Sequence, residues 1–183
     1  RSSDLARVTV KTPSSRLEYA GSTYIDGVPE PAAEIILEFE NIEGSTCGSL
    51  LPTRQPTDLI DGLKVTCIDN GMPVILINAN DLGCTGYESK QELDKNEELK
   101  KRLEKIRLKA GKRMHLGDVS HKTIPKMCLI SEPHSNSCIN TRFFIPHQCH
   151  NAIGVFAAIS VASACVLHGS IAQAIANVPP DAL

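Results

Sequence analysis

Apolar residues come in short runs through the first part of the chain and settle into a helical spacing only later. Val8-Thr9-Val10, Leu17 to Ile25 and Glu34 to Phe39 read as strands, bounded by breakers at Pro13, Gly27, Pro29 and Pro31. Lys64 to Ile68 and Pro73 to Ile77 are two more. Between them, Asp69-Asn70-Gly71-Met72 carries the Asn-Gly pair of a tight turn. Ser89-x-x-Glu92 is a capping box that opens a helical region. There Leu99, Leu103 and Ile106 recur on one face, with Glu97–Lys101 and Glu98–Arg102 as i,i+4 ion pairs. Lys126 to Ile130 and Cys138 to Phe144 return to strand character around a polar turn at Glu132 to Ser137. An apolar helix over 150–167 follows, then a short helical piece from Ser170 to Ala176. Strands before and after helices predict one α+β domain, with a long helix packed on a curved, mostly antiparallel sheet.

Composition removes several functional classes. The 183 residues carry 19 basic and 21 acidic side chains, no Trp, and few Tyr or Phe. With that balance and so little aromatic surface, nucleic-acid binding has no support. Lys90 to Arg113 is charge-rich, but its signs are interspersed, as on a solvated helix face. The longest apolar run, around Ile153 to Leu167, contains Ser160, Ser163 and Cys165. It is shorter than a bilayer requires and reads as a buried core helix, so no membrane role is expected. No secretory signal is visible at the start. Seven cysteines without a CxxC pair, several in core-like runs, point to reduced thiols in a cytoplasmic setting.

The densest candidate chemistry is Pro146-His147-Gln148-Cys149-His150, where a strand gives way to the apolar helix. A helix N-terminus stabilises a thiolate, and His147 and His150 can add positive charge or a hydrogen bond. Cys149 is therefore the candidate nucleophile or acid/base residue; a buried, inert thiol is the bland alternative. A zinc site of His147, Cys149 and His150 with His134 or Cys138 lacks the usual ligand spacing. Cys47, in Ser45-Thr46-Cys47-Gly48-Ser49, reads as a turn between strands. The Asn70-Gly71-Met72 turn is expected to line a pocket at the sheet end, with Lys126 and Arg142 placed to neutralise carboxylates. An ordinary hairpin connection and solvent-facing cations are the alternatives.

An ordered series of short motifs spans nearly the whole chain. It runs from Tyr24-Ile25-Asp26-Gly27-Val28-Pro29 through Val65-Thr66-Cys67-Ile68-Asp69, Met72-Pro73-Val74 and Asp81-Leu82-Gly83 with Thr85-Gly86-Tyr87-Glu88. It continues with Ala110-Gly111-Lys112, Leu116-Gly117-Asp118-Val119-Ser120, Ile124-Pro125-Lys126 and Ile145-Pro146-His147 with Cys149-His150. In this series the chain resembles the PrpF family of isomerases, closest to its oxalomesaconate branch. The resemblance implies a diaminopimelate-epimerase-like fold of two similar halves around a cleft. Residues 1–183 are expected to cover the bridge between halves and most of the second half, the first being without a counterpart here. It further implies no cofactor, no metal and a small unsaturated di- or tricarboxylate substrate. Cys149 would be the second-half acid/base residue, with His147, His150 and the Asn70-Gly71-Met72 turn lining the pocket. A homodimer is left open as the assembly, and so is a non-catalytic module that only binds carboxylates or a complementary chain.

Overall fold

The computed structural model describes residues 5–25, 29–134 and 137–180. Part of the Tyr24-to-Pro29 motif (residues 26–28) and of the polar turn (residues 135–136) lies outside the described residues. The chain divides into two compact units, residues 1–42 and 43–183.

In the first unit, β1 (Leu5–Val10) and β2 (Ile35–Glu40) pair antiparallel, with Arg7 opposite Glu38 and Val10 opposite Ile35. Arg7 lies 3.7 Å from Glu38 and 3.5 Å from Glu40 across the ribbon. These are exposed pairs, which add little stability. The strand expected over Leu17 to Ile25 does not form: only Thr23 finds a bridge partner, Ala32. Without a ladder neighbour, its apolar residues, including Tyr19 and Ile25, stay exposed.

The second unit is a five-stranded sheet in the order β3-β4-β5-β6-β7. Its strands are β3 (Asp58–Ile60), β4 (Leu63–Asp69), β5 (Pro73–Asn78), β6 (Lys126–Ser131) and β7 (Asn140–Phe144). All neighbours are antiparallel except β5 and β6. That parallel pair needs a crossover, which α1 (Lys90–Lys95) and α2 (Glu97–Arg113) supply. The expected α+β class with a mostly antiparallel sheet is therefore the one observed.

Helices cover both faces. On one, Leu99, Leu103, Ile106 and Ala110 of α2 pack with Val65, Ile75, Met127, Phe144 and Cys149. On the other, Ala157, Val161 and Ala164 of α3 (Val155–Val166) pack with Val74, Leu76, Cys128 and Phe143. The longer helix is α2, whereas the apolar helix anticipated over 150–167 begins only at Val155. Gly154 caps it without a side-chain bond, and the His150 ring Nδ1 holds a local turn with Ala152 instead. Residues 170–176 form turns rather than helix.

Local signals explain α1 and α2. Ser89 and Glu92 complete the capping box, and the Asn96 side chain accepts the Leu99 N–H at 3.0 Å. Glu97 and Glu98 open α2 and Lys112 and Arg113 close it, complementing its dipole. The ion pair that forms is Glu97–Lys100 at 2.7 Å, in place of the i,i+4 pairs expected. Arg107 is fully buried: its guanidinium pairs with Glu104 and donates to the carbonyls of Val119, Lys122 and Ile124. It thereby fixes the segment entering β6.

Candidate functional site

The β4–β5 turn, the start of β6 and the end of β7 lie at one end of the sheet. Asp69 pairs with Pro73, Val74 with Lys126, and Met127 with Phe144, which in turn bridges to Cys149. Gly71 takes φ 86°, the left-handed conformation that lets the chain reverse there.

The turn is fastened to α3. Ser160 Oγ accepts the Asn70 N–H at 3.1 Å and donates to the Met72 carbonyl at 2.8 Å. Ser163 Oγ accepts from Asn70 Nδ2 at 2.8 Å. Asp69, fully buried just before the turn, binds the 43–50 loop: its Oδ2 accepts the N–H groups of Thr46 and Cys47 at 2.9 and 2.7 Å. Its Oδ1 is buried with no hydrogen-bond partner. Burial, then the Asp69 carboxylate, pushes the Cys47 thiol up to about 12. Cys47 is thus part of a tied-down turn, and its thiol stays protonated.

Lys126 stands beside this turn, 9% exposed, with no hydrogen bond or ion pair from its ammonium to any described residue. Burial, then the neighbouring Arg107 cation, lowers its pKa. By register it shares the face of Val74, which is the α3 face. Asn70, Gly71, Met72 and Lys126 therefore form one group.

Cys149 and Arg142 form another, on the α2 face. Arg142 is opposite Leu129 and donates through Nε to the Glu88 carbonyl at 2.8 Å. Cys149 is 2% exposed and belongs to the α2-side core. Its backbone N–H donates to Asp94 Oδ1 at 2.7 Å, and its sulfur lies 3.6 Å from the His150 carbonyl. The expectation of a thiolate held by a helix N-terminus is corrected here. α3 starts six residues further on, and burial followed by the Asp94 charge pushes the thiol up, with Arg142 and Lys90 opposing. The sulfur is held as a thiol.

The two histidines do not converge on it. His147 is exposed, with Nδ1 3.7 Å from Glu104, and the exposed His150 ring binds within its own turn. Among the described residues, no three His, Cys, Asp or Glu side chains are grouped to hold a metal, which leaves the zinc reading unsupported. Nor is any helix there long and apolar enough to cross a membrane. A cleft of about 520 Å³, lined by Cys47 to Pro52 with Arg54 and His115, contains none of the expected residues. Asp69, Asp94, Ser160 and Ser163 were missed as site-forming groups. The available signal was the serine pair at helical spacing inside an otherwise apolar run.

Two helices on opposite faces of a mostly antiparallel sheet, with polar groups gathered at one sheet end, define an α+β unit. Residues 2–180 match the model of the PrpF protein family, and the chain belongs to that family. It is 53% identical over 173 residues to the 4-oxalomesaconate tautomerase of Pseudomonas putida (strain KT2440), covering 94% of this chain and 48% of that protein. It is 48% identical over 178 residues to the (4E)-oxalomesaconate Delta-isomerase of Novosphingobium sp. (strain KA1), covering 97% and 50%. The chain thus spans about half the length of the curated relatives it matches. The crystal structure of a methylitaconate-delta-isomerase shares the fold: TM-score 0.87 at 21% identity, covering 97% of this chain and 52% of that one.

Proposed function

We propose that this chain carries one side of the active site of a cofactor-independent isomerase. The substrate is a small unsaturated di- or tricarboxylate of the oxalomesaconate type, and the reaction moves a proton and a double bond. The observation that carries this reading is Lys126: a largely buried side chain whose ammonium has no counter-ion among the described residues, beside a turn fixed by Ser160 and Ser163. Such a cation is free to bind an incoming carboxylate, because its stem is packed in place and it lacks a competing partner. The names of the relatives that match along nearly the whole chain agree with that substrate class.

In the proton shift a C–H bond breaks and its electron pair becomes the new double bond. The old double bond takes a proton at its far carbon. Cys149, as a thiol, supplies that proton and is restored by proton return from the medium. Lys126 and the turn hold a substrate carboxylate and stabilise the enolate-like charge between the two steps. Arg142, His147 and His150 surround the Cys149 segment, and the base that takes the first proton is not assigned. We place the enzyme in the cytoplasm on its reduced thiols.

The test is to incubate the chain with 4-oxalomesaconate in deuterium oxide and follow proton exchange by NMR. Exchange above the buffer rate that is lost in Lys126→Met supports the reading; exchange equal in both overturns it. A second reading is a carboxylate-binding module that is not catalytic by itself, favoured by the Cys149 sulfur lying on the sheet face opposite Lys126. It predicts calorimetric binding of the carboxylate with no exchange.

A further inference from the structure

The segment carrying Cys149 is anchored from α1, by groups to which the proton shift above gives no part. Asp94 Oδ1 accepts the Cys149 N–H at 2.7 Å, while Asp94 Oδ2 pairs with Lys90 one helical turn earlier. The contact joins residues 55 positions apart in sequence. Asp94 is ionised at neutral pH: Lys90 first, then the Cys149 N–H, holds its carboxyl below the usual range.

Every element packed around the sulfur contributes to its surroundings. α1 presents Asp94 and Lys90, β7 presents Arg142, and β6 presents Met127 and Leu129, with the Cys128 thiol on the opposite face. α2 presents Leu99 and Leu103 in the shared core, and its Lys100 acts on Asp94. The Asp94 carboxylate thus bears on this sulfur, and it already holds the adjoining backbone in place.

We propose that Asp94 is a positioning residue for Cys149: it fixes the loop through the backbone N–H, and its negative charge adds to burial in disfavouring the thiolate. Lys90 sets how much of that charge the sulfur feels. A thiolate formed next to an ionised carboxylate is repelled by it, whereas a thiol is not, so Asp94 favours the protonated sulfur at rest and opposes loss of its proton, and Lys90, by offsetting the charge, eases that loss. This rests on Cys149 being the proton donor of the proposed reaction.

Two substitutions separate the charge from the scaffold. Asp94→Asn keeps a side-chain oxygen for the Cys149 N–H and removes the charge; Lys90→Met keeps Asp94 and removes its compensation. The readout is alkylation of the native chain by iodoacetamide at a series of pH values, with the Cys149 peptide quantified by mass spectrometry. Only the thiolate reacts, so the rate reports its population. At fixed pH near 8, Asp94→Asn should alkylate Cys149 about threefold faster, and Lys90→Met should alkylate it more slowly by a similar factor. The profiles of the other six thiols should stay in place.

A Cys149 profile unmoved in both variants, or moved the same way in both, overturns the proposal. If Asp94→Asn unfolds the chain, all seven thiols react together and Lys90→Met alone decides, since a loosened fold cannot slow Cys149. Turnover is not needed for this readout. A failed isomerase assay and a failed alkylation test are therefore separate results.

Discussion

Ser160, in the middle of α3, donates its hydroxyl to the Met72 carbonyl at 2.8 Å and accepts the Asn70 N–H at 3.1 Å. One side chain thus satisfies both ends of the turn that faces Lys126, and it does so from a helix otherwise read as plain core. Its removal leaves a half-buried donor and a half-buried acceptor without their side-chain partner. Ser160→Ala should destabilise the chain by about 1–3 kcal/mol. It should also weaken carboxylate binding. Urea unfolding and titration calorimetry with cis-aconitate as probe check both; an unchanged unfolding midpoint would contradict the role given to this hydroxyl.

Lys126 should behave in the opposite way. A largely buried lysine without a counter-ion adds partial desolvation and no pairing energy, so Lys126→Met should leave the stability unchanged or raise it. Carboxylate affinity should fall about tenfold or more, the worth of one charged hydrogen bond. Loss of stability together with loss of binding would show that the lysine has a structural partner.

Arg107 is a contrasting buried cation, because every arm of its guanidinium is bonded. Arg107→Met orphans the carbonyls of Val119, Lys122 and Ile124 and leaves Glu104 without its partner. A loss of about 3–5 kcal/mol is expected. Hydrogen exchange should be fastest in the segment leading into β6, and a uniform loss of protection would argue against a local staple.

Buried thiols give the chain an alkaline limit. Cys47 is pushed from its ordinary 9.0 to about 12 by burial and then Asp69, and Cys165 to about 12 by burial and then Cys138. Burial also raises Cys67 and Cys128. Each group has a higher pKa folded than unfolded. The unfolded chain therefore releases these protons first, and the native state binds more of them in the window between. This source of stability is complete below pH 9.0 and is lost progressively above it. Urea midpoints measured from about pH 8 to 11 in reducing buffer should fall steadily past 9; a flat profile would contradict the burial of these sulfurs.

Alternation and turn chemistry made β4, β5, β6 and β7 readable, and the three-and-four spacing of Leu99, Leu103 and Ile106 gave the buried face of α2. The short β3 was missed because three residues carry no periodicity; Asp61 and Gly62, both at positive φ, make its hairpin to β4. The start of α3 was misjudged because Asn151 offers a capping side chain too early, whereas Gly154, which does cap the helix, has no side chain to mark it. The grip of Asp94 on Cys149 was out of reach for another reason. A contact across 55 residues leaves no local pattern, and its effect on the sulfur is opposite to that inferred from a nearby helix end.

Lys126 and Cys149 share one end of the sheet but lie on opposite faces of it, Cys149 within the core beneath α2. On the reading proposed above, a single molecule engaged by both would have to straddle the ends of β6 and β7, with an anionic group on one flank and its proton-accepting carbon on the other. The thickness of one layer of backbone therefore acts as a molecular ruler for what this half can hold.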